Sequence, residues 1–140
     1  MQDLAQFIAN HMALTYLLAT ALVLLMAIEF MRTRRNQFAV DPAGAVRLIN
    51  RENAAVIDVR SKELYKKGHI VDAYSFSATD LMSNAKPIEK FKKRPLVVVC
   101  TAGFDSQKMA AFLIRQGYNA YSLSGGMRAW SEAELPVVKE

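Results

Sequence analysis

From Leu4 to Ile28 the chain contains no Asp, Glu, Lys or Arg. Within this run, "HMALTYLLATALVLLMAIEFM" is apolar all round, and a helix with no polar face is a helix for lipid. At a rise of 1.5 Å per residue the uncharged length is enough to cross a hydrocarbon core of about 30 Å. Glu29 stands near its end, where a carboxylate reaches the interface. A cleaved signal peptide would carry positive charge before its apolar stretch. Here the only charged side chain before it is Asp3, and no A-x-A-like site closes the segment. The stretch therefore reads as a retained single transmembrane helix, with the lipid bilayer as its partner through residues 4–30. Met12, Met26 and Met31 are lipid-compatible side chains, not copper ligands. Arg32, Arg34 and Arg35 come directly after the run. The positive-inside bias then places the C-terminal side of the helix in the cytoplasm, on the inner membrane if the source is bacterial, and the N-terminus outside.

The chain has 140 residues, so the part beyond the anchor is long enough for one domain with a real core. Its single cysteine, Cys100, excludes an intrachain disulfide framework and a thiol-rich metal site. A lone free thiol suits a reducing compartment, in agreement with a cytoplasmic C-terminal side. The net charge is +5, but the cations are scattered, without a basic stripe or interleaved aromatics. That pattern is a solvated surface, and no nucleic-acid partner is expected.

After a short juxtamembrane connection, "QFAV" predicts a first strand. Asp41-Pro42 is a helix start, with Asp as cap and Pro in the first turn, and that helix ends near Asn50. Ala54 to Val59 is a short strand, too apolar for a sheet with a wet face. Ser61 caps a short helix, "KELYKK", stopped by Gly68. "AYSFS" is a further strand candidate, and Thr79 to Lys93 predicts one or two short helices. "PLVVVC" is the clearest strand. "SQKMAAFLIRQ" is an amphipathic helix closed by Gly117. "AYSL" is the last strand, succeeded by Gly125-Gly126 and a terminal helix through Trp130. Apolar strands alternating with helices argue for an α/β domain whose parallel sheet is covered by helices on both faces.

Ligands bind at the carboxyl ends of strands in such sheets. Cys100 stands at such an end, with a predicted helix beginning near Ser106. The connecting loop, Thr101 to Asp105, is short and contains Gly103. Successive N–H groups in a loop this short turn inward, and the helix dipole adds positive potential. A thiolate, or a persulfide anion built on it, is stabilised there by hydrogen bonds to its charged form. Against this stands the ordinary alternative, a small buried thiol that ends a strand.

Three motifs in order carry a resemblance. "VIDVRSKELYKKGHIVDAYSFS" supplies Asp58, Arg60, Glu63, Tyr65, Gly68, His69 and Ile70. "VVVCTAGFDSQKMAAFLIRQGY" supplies the strand, loop and helix around Cys100. "LSGGMRAWSEAELPV" supplies Gly125, Gly126, Trp130 and Pro136. Together they resemble the rhodanese (sulfurtransferase) domain family from about Val40 to Val137. The apolar run and its arginines mark residues 1–35 as transmembrane anchor and basic juxtamembrane segment, and the resemblance implies 36–140 as a rhodanese-like domain.

The resemblance also implies sulfur transfer. The loop cysteine, here Cys100, attacks the outer sulfur of a sulfane-sulfur donor and becomes a persulfide, which a thiol, cyanide or protein acceptor then discharges. Backbone amides of Thr101, Ala102, Gly103, Phe104, Asp105 and Ser106 match the cradle of the persulfide. No metal and no separate cofactor are implied. Asp58 and Arg60 read as structural support, the Asp capping its turn and the Arg pairing with it. His69 reads as a hydrogen-bonded core residue, and Trp130 as core packing. Many members carry a basic residue late in the loop, where this chain has Asp105, and often Gly where Asp72 stands. An aspartate in the loop repels thiosulfate and offers no guanidinium to an oxyanion, so thiosulfate is expected to be poorly served. Two other readings remain open beside the enzyme. One is a catalytically weak, membrane-tethered interaction module, with a membrane-protein partner. The other is phosphate chemistry of the related dual-specificity phosphatases, which need a loop one residue longer and an arginine where Ser106 stands.

Overall fold

A computed structural model describes residues 1–140, apart from the side chains at 35 and 36, so Arg35 of the basic cluster lies outside the described residues. The chain divides into two units, Met1–Gln37 and Phe38–Glu140.

In the first unit the apolar run is not one helix. A short helix, α1 (Gln2–Asn10), stops at His11, and α2 runs Met12–Asn36. The expected span of residues 4–30 is therefore corrected to a later start. The break falls at His11, which leaves helical geometry at φ −127° and ψ 40° with its ring against Phe7. His11 Nδ1 is 3.0 Å from the Phe7 carbonyl of the preceding turn. The first ten residues are also not apolar all round, because Gln2, Gln6 and Asn10 recur every fourth residue on one face. The 23 residues left, Met12–Arg34, are about 35 Å long as a helix and apolar enough to cross a membrane.

In the second unit five strands form a parallel sheet. They are β1 (Ala39–Val40), β2 (Ala55–Asp58), β4 (Tyr74–Ser75), β5 (Leu96–Val99) and β6 (Ala120–Leu123). Their spatial order is β1-β6-β5-β2-β4, which puts β5 at the centre. Alternate residues of each strand face opposite cores. Leu96 and Val98 join Ile57 and Ala120 under α5 (Ala78–Ser83), α6 (Phe104–Arg115) and a 3-10 turn, Lys86–Phe91. Val97 and Val99 join Val56 and Leu123 under α3 (Pro42–Glu52) and α7 (Gly126–Glu132). Every residue of β2 and β5 is buried, as expected for a parallel sheet covered on both faces.

Local signals hold the helix ends. The Asp41 carboxylate accepts from the Gly44 amide at 2.7 Å, worth about 1 kcal/mol for a cap of this kind. Ser61 caps α4 (Lys62–Lys67), with its hydroxyl 3.4 Å from the Leu64 amide. Helix α3 runs on to Glu52, past the expected Asn50, because Asn53 supplies the left-handed closing residue at φ +54°. Strands β2, β4 and β5 are shorter at both ends than the runs that predict them, β1 is shorter at its start, and β6 covers the expected "AYSL" in full. One pairing has no counterpart in the sequence pattern: β3 (His69–Ile70) lies antiparallel to β7 (Val137–Val138) as a separate two-stranded ribbon.

Candidate active site

Cys100 comes directly after the last residue of the central strand and is 4% exposed. The chain must turn at once, because α6 begins at Phe104 and not near Ser106 as the spacing suggests. The loop is therefore only Thr101 to Gly103, and Asp105 belongs to the helix. The early start is made possible by Gly103, the N-cap residue, at φ +99°. A Cβ there would also lie 3.1 Å from the Gly125 amide nitrogen.

This turn aims the Gly103 N–H at the cysteine sulfur, with N···Sγ 2.9 Å. The Ser106 hydroxyl stands 3.4 Å from the same sulfur and 3.1 Å from the Gly103 carbonyl, to which it donates. Ser106 is fully buried. The amides of Phe104, Asp105 and Ser106 are the first of α6 and have no acceptor within the helix. One backbone N–H directed at the sulfur, one neighbouring hydroxyl and the start of a helix thus converge at Cys100. Thr101, Ala102, Phe104 and Asp105 are exposed around it, and Phe104 is 73% exposed.

The loop backbone is held from behind by α7. Met127 N–H donates to the Cys100 carbonyl at 2.8 Å, and Arg128 N–H to the Thr101 carbonyl at 3.2 Å. The approach is close enough that a Cβ on Gly126 would strike the Cys100 carbonyl oxygen and lie 2.7 Å from Thr101 C and O. Gly125-Gly126 is more than a turn with positive φ: it lets one helix dock its first amides on the loop.

Asp58, Arg60 and His69 are spent on the scaffold. Asp58 is 1% exposed, and its carboxylate receives Arg60 Nε at 3.0 and 3.1 Å and an Arg60 terminal nitrogen at 2.7 Å. The same terminal nitrogen donates to the Gly68 carbonyl at 2.7 Å, so the guanidinium is tied to the scaffold on two sides. His69 stacks on Tyr65 with ring centroids 3.7 Å apart, and its Nδ1–H donates to the Tyr65 carbonyl at 2.7 Å. Tyr65 O–H donates to the Ala73 carbonyl at 2.6 Å. Burial pushes the Tyr65 phenol above its ordinary value, and the Glu140 and Asp58 carboxylates add to the effect. Asp72 takes a left-handed φ of +62°, a conformation a glycine would adopt without strain. Trp130 is buried in the core, and its indole N–H donates to the Pro136 carbonyl.

Two contributors escape a reading of the sequence. One is the pair of α7 amides, since backbone docking leaves no residue signature beyond the two glycines. The other is Ser122, whose hydroxyl is 2.9 Å from that of Ser106. Its only signal is a polar residue inside the apolar strand "AYSL".

The rhodanese-like domain family model matches residues 41–133. Escherichia coli (strain K12) protein YibN is 29% identical over 99% of both chains, so that likeness includes the N-terminal helices. A thiosulfate sulfurtransferase, GlpE, of Pseudoalteromonas translucida (strain TAC 125) is 32% identical over 65% of this chain and 86% of its own. A solved rhodanese-related protein from Thermoplasma volcanium superposes with a TM-score of 0.66 at 26% identity, covering 73% of this chain and 98% of that one.

Proposed function

Because this chain belongs to the rhodanese-like domain family, we propose that it moves sulfane sulfur through a persulfide on Cys100, in a domain tethered to a membrane by α2. The observation that carries the reading is the Gly103 N–H at 2.9 Å from the Cys100 sulfur, in a three-residue loop that opens a twelve-residue helix.

The transfer has two steps. The Cys100 thiolate attacks the outer sulfur of a donor R–S–S⁻. A Cys100 S–S bond forms, the donor S–S bond breaks, and R–S⁻ leaves with its electron pair. The acceptor thiolate or cyanide then attacks the outer sulfur, and the Cys100 thiolate is regenerated. Electrons balance within the two exchanges, and no outside oxidant is required. During the intermediate the negative charge sits on the outer sulfur, and the reading assigns the amides of Thr101 through Ser106 as its cradle, supported by the Gly103 N–H on the Cys100 sulfur. Asp58, Arg60 and His69 support the scaffold and do not touch sulfur.

Asp105 in the first turn of α6 opposes dianionic donors, so the reading favours persulfides of small thiols over thiosulfate. Arg32 and Arg34 on the C-terminal side of the span orient the domain to the cytoplasm as a single-pass protein. A sulfur acceptor or partner in the same membrane is in reach of that arrangement. A second reading is a tethered interaction module, favoured by the exposed Phe104 beside Asp105 at the mouth of the loop.

The test is transfer by the full-length chain in detergent, from a small-thiol persulfide to cyanide. Turnover that Cys100→Ser abolishes is the expected result. No turnover with any donor, in a folded protein, would transfer the case to the interaction module.

A further inference from the structure

The Ser122 hydroxyl lies outside the loop and has no role in the two-step transfer. It stands on β6 opposite Val98, on the sheet face it shares with Ala120, beneath α6. It is 2% exposed, and among the described residues its one hydrogen-bond partner is Ser106 Oγ at 2.9 Å.

The direction of that bond is fixed by counting. A hydroxyl has one proton and two lone pairs. If Ser106 donated to Ser122, the Ser122 proton would be left buried without an acceptor, an arrangement folded proteins avoid. Ser122 is therefore the donor and Ser106 the acceptor. The Ser106 proton is then free for the two groups on its other side, the Gly103 carbonyl at 3.1 Å and the Cys100 sulfur at 3.4 Å.

We infer that Ser122 is a positioning residue for the sulfur site, its O–H fixing Ser106 as acceptor from the sheet and donor toward Cys100. In the thiol, Cys100 S–H donates to Ser106 Oγ, and the Ser106 proton lies on the Gly103 carbonyl. When the thiol proton leaves to solvent base, the Ser106 proton rotates onto the sulfur. The Gly103 carbonyl keeps the Gln107 amide at 3.3 Å, so nothing buried is orphaned. The thiolate gains a second donor beside the Gly103 amide, by one hydroxyl rotation and no backbone movement. The inference rests on Cys100 acting as the thiolate nucleophile of the proposed transfer.

The test is the pH dependence of iodoacetamide labelling of Cys100 in the full-length chain in detergent. It compares the natural chain, Ser122→Ala, Ser106→Ala and the double variant. Asp105, the charged group nearest in sequence, is unchanged throughout. Ser122→Ala should move the midpoint of the profile upward and slow labelling at pH 7 about threefold, and Ser122→Thr should restore it. Ser106→Ala should slow labelling more, and adding Ser122→Ala to it should change nothing further, because Ser122 acts through Ser106. An unmoved profile, or equal shifts in both backgrounds, overturns the inference. Should Ser122→Ala fail to fold, Ser122→Val fills the site without a donor and should give the same upward shift; the natural profile there overturns it equally. Sulfur uptake is read separately by mass. A shifted profile in a protein that takes up no sulfur sinks the transfer reading and supports the role of Ser122.

Discussion

At the start of α6, the Asp105 carboxylate stabilises the helix it sits in by a few tenths of a kcal/mol up to about 1 kcal/mol, and opposes the anionic donor and persulfide of the proposed transfer. Reversing its charge separates the two effects. Asp105→Arg should raise thiosulfate-to-cyanide turnover about tenfold at low salt, since repulsion is removed and a fork of donors is added. It should also lower the melting temperature slightly through the helix dipole. An unchanged turnover in a folded variant would show that Asp105 does not filter donors. At this scale the sequence is informative about Cys100, Gly103 and the structural pair Asp58 and Arg60, because each has a chemistry tied to its position. Ser122 is not legible as a partner of Ser106, since the two are joined only when β6 passes beneath the first turn of α6. The start of α6 is displaced from its expected place for a related reason. Phe104 and Asp105 carry no strong helix-start signal, and the decisive one is the positive φ of Gly103.

Two elements make the loop what it is: α6 supplies donors from the front, and α7 clamps the backbone from behind. The clamp depends on Gly126, at φ +58° and against the Cys100 carbonyl. Gly126→Ala should destabilise the domain by roughly 1–3 kcal/mol and depress sulfur transfer with it, through overpacking and backbone strain together. Gly68→Ala is the matched control, since its φ of 164° is ordinary extended backbone and its new Cβ would meet only Val137 at 3.8 Å. Thermal melts of both check the expectation. Equal melting temperatures would mean that the α7 contact does not hold the loop. The strands and helices of the sheet are readable from alternating apolar runs and caps such as Asp41. The β3–β7 ribbon is not, because two-residue strands joined across most of the domain leave no periodicity to read.

For the molecule as a whole, the helix α2 and the enzyme-like loop make separate demands. Reporters active on only one side of a membrane, fused after Glu140, should be active on the cytoplasmic side, the expectation from the positive-inside bias of Arg32 and Arg34. Activity of a reporter that works only outside would reverse the orientation. The apolar run is legible from its missing charges, whereas the break at His11 lies inside the uncharged stretch, where composition gives no signal for it. Sulfur transfer itself makes one covalent demand, that Cys100 carry the sulfur between donor and acceptor. The direct measurement is the intact mass of the full-length chain after exposure to small-thiol persulfides. A gain of about 32 Da, one sulfur, that is absent in Cys100→Ser and removed by cyanide is the result expected of a persulfide intermediate. An unchanged mass with every donor, in a protein whose Cys100 still reacts with iodoacetamide, would contradict it.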